Sequence, residues 1–309
     1  MLRNRIVMIF IMIGMVFTFA GCESSAGTVE KGDVNTVLIQ HELGEVEVKV
    51  NPSRVVVFDY GVLDIINVIE EDVIALPKKT LPEYLNKFGV DRYEDVGTLQ
   101  EPNFERIYEL SPDLIIISGR QQALYEEFSK IAPTVYLTID GTNYMESFQR
   151  NLEIIRRIYD KEEVINTRLE KIRSEVEELS NNSVDNSLIV MANDGNLSVY
   201  GKESRFGIIH KEFGINPADE NIETSNHGQS ITFEYLLDIN PEYMFVIDRA
   251  AVTGGEISAK QVLENEIVRM TDAYKNHNIV YLDAHTWYVS VGGFESTERM
   301  IEEIKNGIK

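Results

Sequence analysis

Apolar and polar positions along the chain follow two rhythms. Alternation over 37–48 predicts a β-hairpin that turns at Leu43-Gly44-Glu45. Short, continuous apolar runs then recur at 54–58, 114–117, 134–137, 188–191, 243–247 and 279–282, with a partner run at 197–200. Runs of this length with no polar face read as buried strands of a parallel sheet. Helical spacing lies between them, beginning at 61–69. Strands alternating with helices predict an α/β protein with mainly parallel sheets.

The longest helical pattern spans 144–179, which contains neither Pro nor Gly. Its apolar positions, Phe148, Leu152, Ile155, Ile158, Val164, Ile165, Leu169, Ile172 and Val176, keep one face. Unbroken, it would extend about 54 Å; Tyr159-Asp160-Lys161 is the point where a break is expected. This segment separates two groups of strands. The expected organisation is two Rossmann-like lobes, 36–143 and 181–309, joined by a stiff helical backbone at 144–180.

The lobes share an internal repeat. Asn103-Phe104-Glu105-Arg106-Ile107-Tyr108-Glu109-Leu110-Ser111-Pro112-Asp113-Leu114 and the strand after it align, without a gap, with Thr232-Phe233-Glu234-Tyr235-Leu236-Leu237-Asp238-Ile239-Asn240-Pro241-Glu242-Tyr243 and its strand, at a constant offset of 129. Each copy reads helix, Pro-acid turn, strand, then an arginine just beyond the strand: Arg120 in the first and Arg249 in the second. Open α/β sheets bind ligands beyond the carboxyl ends of their strands. Two such lobes facing each other would place Arg120 and Arg249 on opposite walls of one cleft. Glu105 and Glu234 occupy equivalent positions away from that cleft.

Charge sharpens this picture. The chain carries 29 Lys and Arg against 51 Asp and Glu, a net −22. Such a field repels nucleic acid and anionic lipid surfaces. It also repels an anionic ligand unless cations gather locally. Arg205, in the Gly-bounded loop Tyr200-Gly201-Lys202-Glu203-Ser204-Arg205-Phe206-Gly207, is the third candidate for such a cluster. Three charge-assisted hydrogen bonds would supply about 5–9 kcal/mol before costs, a large part of the roughly 12 kcal/mol that nanomolar binding requires. The competing reading pairs each arginine with a nearby acid.

The first 21 residues read as an export signal: Arg3 and Arg5, an apolar stretch over 6–19, then Phe19-Ala20-Gly21 before Cys22, the only cysteine. One cysteine makes no internal disulfide. Its position marks a lipobox whose thiol is acylated to anchor the chain; the alternative is a secreted protein with a spare thiol. Residues 22–35 are rich in Ser, Gly, Thr and charge and read as a tether. The mature chain would carry −24.

Asn226-His227-Gly228-Gln229-Ser230 and Thr286-Trp287-Tyr288-Val289 hold groups able to ligate iron(III), although a lone loop His is also an ordinary solvated residue. No H-E-x-x-H, C-x-x-C, P-loop or G-x-S-x-G motif is present.

Taken together, the segments 55–64 (VVVFDYGVLD), 113–121 (DLIIISGRQ), 204–210 (SRFGIIH), 226–230 (NHGQS) and 243–249 (YMFVIDR) resemble the iron-siderophore binding lipoproteins of ABC importers, most of all the catecholate and petrobactin-type branch. The resemblance covers roughly residues 46–308. It implies a binding protein and not an enzyme, monomeric, without an intrinsic cofactor, whose ligand is an Fe(III)-siderophore complex. It implies that Arg120, Arg205 and Arg249 grip the ligand's anionic oxygens. His227 and Tyr288 would complete the coordination of iron, and Tyr60 and Trp287 would line the cleft. Glu105 and Glu234 would dock on permease subunits served by a cytoplasmic ATPase, with Cys22 holding the protein on the outer face of the membrane. Haem, cobalamin or a hydroxamate siderophore on the same architecture, a surface esterase and a purely structural adhesin are the rival readings.

Overall fold

The computed structural model describes residues 35–182, 184–225 and 227–308. The expected signal segment, Cys22 and nearly all of the tether lie outside the described residues. β1 (Thr36–His41) and β2 (Gly44–Lys49) form the expected antiparallel hairpin. Its turn is Glu42-Leu43, one residue earlier than the alternation suggests. Gly44, at φ +144°, enters β2 directly with a backbone that side chains disfavour.

The first large sheet comprises β3 (Val55–Val57), β4 (Ala75–Leu76), β5 (Glu94–Asp95), β6 (Leu114–Ile117) and β7 (Thr134–Tyr136), all parallel, in the order β5-β4-β3-β6-β7. The second comprises β8 (Ser187–Asn193), β9 (Asn196–Tyr200), β10 (Gln229–Ile231), β11 (Tyr243–Asp248) and β12 (Ile279–Leu282), in the order β10-β9-β8-β11-β12. Here β8, β11 and β12 run parallel, and β9 and β10 add antiparallel pairs. Both orders reverse direction beside the fourth listed strand, β6 in one sheet and β11 in the other. Such reversal points open the crevice where doubly wound folds take ligands.

The helices are α1 (Tyr60–Val68), α2 (Phe104–Leu110), α3 (Tyr125–Ser129), α4 (Tyr144–Tyr159), α5 (Glu162–Ser180), α6 (Ile208–Lys211), α7 (Phe233–Ile239), α8 (Arg249–Thr253), α9 (Ala259–Leu263), α10 (Asp272–Lys275) and α11 (Phe294–Gly307). The repeat extends to the caps. The side chains of Asn103 and Thr232 accept from the third helical N–H of α2 and α7, and Ser111 and Asn240 end these helices in left-handed conformations at φ 46° and 49°.

The 144–179 pattern is helical but broken where expected. Asp160 adopts φ 51° and stops α4. Arg156 bonds Asn166, and Arg173 bonds Gln149, so α5 runs back antiparallel to α4. The connection between the two sheets is therefore an antiparallel α4–α5 hairpin, whose second arm is about 28 Å long for its 19 residues.

Strand periodicity divides the core. Val55, Val57, Leu114, Ile116, Ile189, Met191, Phe245 and Ile247 point into one continuous cluster shared by both sheets and by α1, α4, α5 and α11. Their alternating neighbours form a separate core on each outer face: Val56, Phe58, Ile115 and Ile117 on the first sheet, and Leu188, Val190, Met244 and Val246 on the second. A shared central core resists large relative movement of the halves, because separating them would expose apolar surface at about 25 cal/mol per Å². The last helix crosses back, packing on α1 and α5.

Candidate functional site

Arg120 lies in the 3₁₀ turn Gly119–Leu124 directly after β6, and Arg249 opens α8 directly after β11. Arg205 lies in the loop after β9. All three converge on Tyr288, which sits in a single π-helical turn, His285–Val289. Arg120 Nη2 donates to the Tyr288 carbonyl at 2.7 Å, and Arg205 Nη2 donates to the same oxygen at 3.3 Å. Arg249 Nε donates to the Tyr288 hydroxyl at 2.9 Å. The guanidinium carbons of Arg205 and Arg249 stand 4.3 and 5.7 Å from the centre of the Tyr288 ring.

The three guanidinium groups are partly buried, and none forms an ion pair with an acid among the described residues. Of the other described arginines, Arg92, Arg106, Arg150, Arg156, Arg168, Arg269 and Arg299 each meet a carboxylate, while Arg54, Arg157 and Arg173 bond carbonyl or amide oxygens. Burial lowers the pKa of Arg205, and the neighbouring charge of Arg120 lowers it further, while Tyr288 opposes both. Like charges held together in a partly dry setting repel, and an anion placed among them relieves that repulsion.

The surroundings explain how the loops hold. The backbone of Arg205 packs so tightly on Gly141, after β7, that a Cβ there would fall 2.4 Å from Arg205 Cα. Lys211 Nζ donates to the Thr142 carbonyl at 3.0 Å. Tyr200 and Phe206 stack edge-on beneath Arg205. Tyr200 is fully buried, and burial pushes its hydroxyl up to about 12. Its place beside the cluster was not signalled by its sequence position, because it reads as an ordinary strand residue.

Other expected site residues are placed differently. Trp287 is wholly buried, and its indole N–H donates to Glu303 at 2.7 Å. Tyr60 is 1 % exposed, its hydroxyl donating to the Pro77 carbonyl at 2.9 Å. Both expectations of a cleft-lining aromatic are corrected: in a π-turn and at the start of α1, each ring fills core space and satisfies its polar atom internally. His227 is exposed in the loop before β10, and its backbone N–H bonds Ser225 Oγ. The next residue, Gly228, lies against the Tyr200 ring. The structure brings the His227 loop near the cluster without joining its imidazole to Tyr288. Among the described residues no group of three or more His, Cys, Asp or Glu forms a metal cage. Glu105 and Glu234 are both exposed in the first turns of α2 and α7, with no ion pair to a described residue.

Two α/β halves around a shared core, with cations at both sheet reversal points, define a two-lobed solute-binding protein. The chain belongs to the periplasmic binding protein family, whose model matches residues 55–286. Members of this family are solute-binding proteins, not enzymes. The chain is 44% identical to the petrobactin-binding protein YclQ of Bacillus subtilis over the whole of both chains. The crystal structure of YclQ superposes with a TM-score of 0.86, at 47% identity, over 89% of this chain and 99% of that one. The catecholate-siderophore binding protein VctP of Vibrio cholerae gives 0.82, at 36% identity, over 88% and 100%. The ferric-anguibactin-binding protein FatB of Vibrio anguillarum is 30% identical over 97% of each chain.

Proposed function

We propose that this protein is the extracytoplasmic binding component of an ABC importer for a ferric siderophore of the catecholate type, petrobactin or a related bis-catecholate. The observation that carries the reading is the convergence of three arginines without carboxylate partners, from both halves of a strongly acidic chain. Deprotonated catecholates around iron(III) leave a net negative complex, and guanidinium groups meet its oxygens with charge-assisted bonds. Neutral cobalamin would not call for such a cluster. Tyr288 stands at its centre, and its phenolate is a ligand for iron when the siderophore leaves positions open; His227 would reach in from its exposed loop as the second. Glu105 and Glu234, exposed at equivalent places on the two lobes 36–143 and 181–309, present the loaded protein to the permease. Cys22 supplies a lipid anchor at the membrane.

A quenching titration tests this, read through Trp287, the only tryptophan, which adjoins Tyr288. Ferric and iron-free bis-catecholate are compared side by side. Tight binding of the ferric complex and weak binding of the free compound is the expected result. Equal response to both, or preference for a hydroxamate complex, would overturn the catecholate assignment.

A further inference from the structure

Tyr288 is governed by the first half of the chain twice: directly through Arg120, and again through the segment that follows it. Asp64, on α1, is fully buried, and its two carboxylate oxygens accept from the backbone N–H groups of Glu295 (3.2 Å) and Ser296 (2.8 Å) at the start of α11. The N-cap of α11 is Gly293, which has no side-chain acceptor, so the cap comes from another element. The approach is close. A Cβ on Gly293 would fall 2.1 Å from Asp64 Oδ2, and one on Gly61, also on α1, would fall 2.1 Å from the Val291 carbonyl oxygen. From α4, the buried Tyr144 hydroxyl accepts from Gly292 N–H at 2.9 Å and bonds Thr297 Oγ1 at 2.8 Å. Val289 and Ser290 separate Tyr288 from Val291 and Gly292, the nearest of these anchor points, six residues (289–294) separate it from the N–H groups that Asp64 caps, and Ser290 N–H closes the π-turn on the His285 carbonyl at 2.9 Å. The stretch between the cap and the ring on which the arginines converge is held at Ser290, Val291 and Gly292 on the way.

We propose that Asp64 is a positioning residue for the arginine–Tyr288 site: by capping α11 it fixes the 285–293 segment, and with it the arrangement that meets the ligand. The proposal rests on reading that cluster as the ligand site. A site held in its binding arrangement spares the ligand the cost of ordering it. Losing the cap frees two buried N–H groups and the segment they anchor.

The test titrates ferric bis-catecholate into wild type, Asp64→Ala, Asp64→Asn and Leu263→Ala. Leu263 is buried in the outer core of the second sheet, and its truncation is a control for stability loss alone. Asp64→Ala is expected to weaken binding fivefold or more. Asp64→Asn, which keeps one acceptor oxygen in the same volume, recovers much of that loss, and Leu263→Ala leaves affinity unchanged. Wild-type affinity in Asp64→Ala, or equal weakening in Leu263→Ala, overturns the proposal. Should Asp64→Ala not fold, wild-type affinity in both Asp64→Asn and Asp64→Ser overturns it instead. The emission spectrum of Trp287 in ligand-free protein gives a readout that needs no ligand. A shift in the Asp64 variants but not in Leu263→Ala supports positioning even if wild type fails to bind, a failure that would sink the siderophore reading alone. Unshifted emission in every Asp64 variant then overturns the positioning role.

Discussion

Replacing Arg205 with alanine removes one of the three partly buried guanidinium groups. In the ligand-free protein the side chain gives one bond to the Tyr288 carbonyl at 3.3 Å and lies over the Tyr288 and Phe206 rings at 4.3 and 5.2 Å. Those contacts are worth about 1–2 kcal/mol. Against them stand the burial of the charge and its repulsion by Arg120, both of which push its pKa down. The two sides nearly cancel, so the ligand-free variant should melt within a few degrees of wild type. Binding behaves differently. A bond to an anionic oxygen is worth about 1.5–3 kcal/mol, so its loss weakens affinity about 10- to 150-fold. The assay is Trp287 quenching by ferric bis-catecholate, alongside a thermal melt. Unchanged affinity would remove Arg205 from the site. A large loss of stability with a proportionate loss of binding would show that the residue serves the fold.

Other outcomes follow from the same geometry. His227→Ala should alter the charge-transfer absorption of a tetradentate ferric catecholate and leave a hexadentate complex nearly unchanged; identical spectra would make His227 a bystander. Glu105→Ala and Glu234→Ala should reduce iron uptake by cells several-fold with affinity and melting temperature unaltered, since both side chains are exposed and outside any ion pair to a described residue; undiminished uptake would remove them from the docking surface. Burial pushes the Asp64 carboxyl up to about 7 from 3.8, its two backbone bonds only partly offsetting this. The folded state therefore holds this proton more tightly than the unfolded chain. The resulting stability is fully present below about pH 4 and is lost as pH rises through 7. Urea midpoints at pH 5 to 8 should show wild type losing stability relative to Asp64→Asn over that window, and parallel curves would refute the assignment.

Much of this protein was legible from the chain. Fully apolar runs such as Leu114–Ile117 marked buried strands because, in a sheet covered on both faces, every residue must be apolar; Ile279–Leu282 is a strand as expected, but it lies at the sheet edge with Tyr281 exposed. The 129-residue offset located equivalent helices, caps and arginines, because like segments fold alike under local rules. The break at Asp160 was also readable, as an acid and a lysine interrupting an apolar stripe. What local pattern could not show was which side chains meet. Trp287 and Tyr60 were expected on a cleft wall and lie in the core, since an aromatic near a site in sequence carries no label for the side it faces. The joint hold of Arg120, Arg205 and Arg249 on Tyr288 brings together residues up to 168 positions apart, and the cap that Asp64 lends to α11 spans 232. Such pairings arise only when the shared core brings distant elements into register. Sequence determines which segments are strand, helix or turn; the packing of those segments decides which charges are left without a counter-ion and where they point.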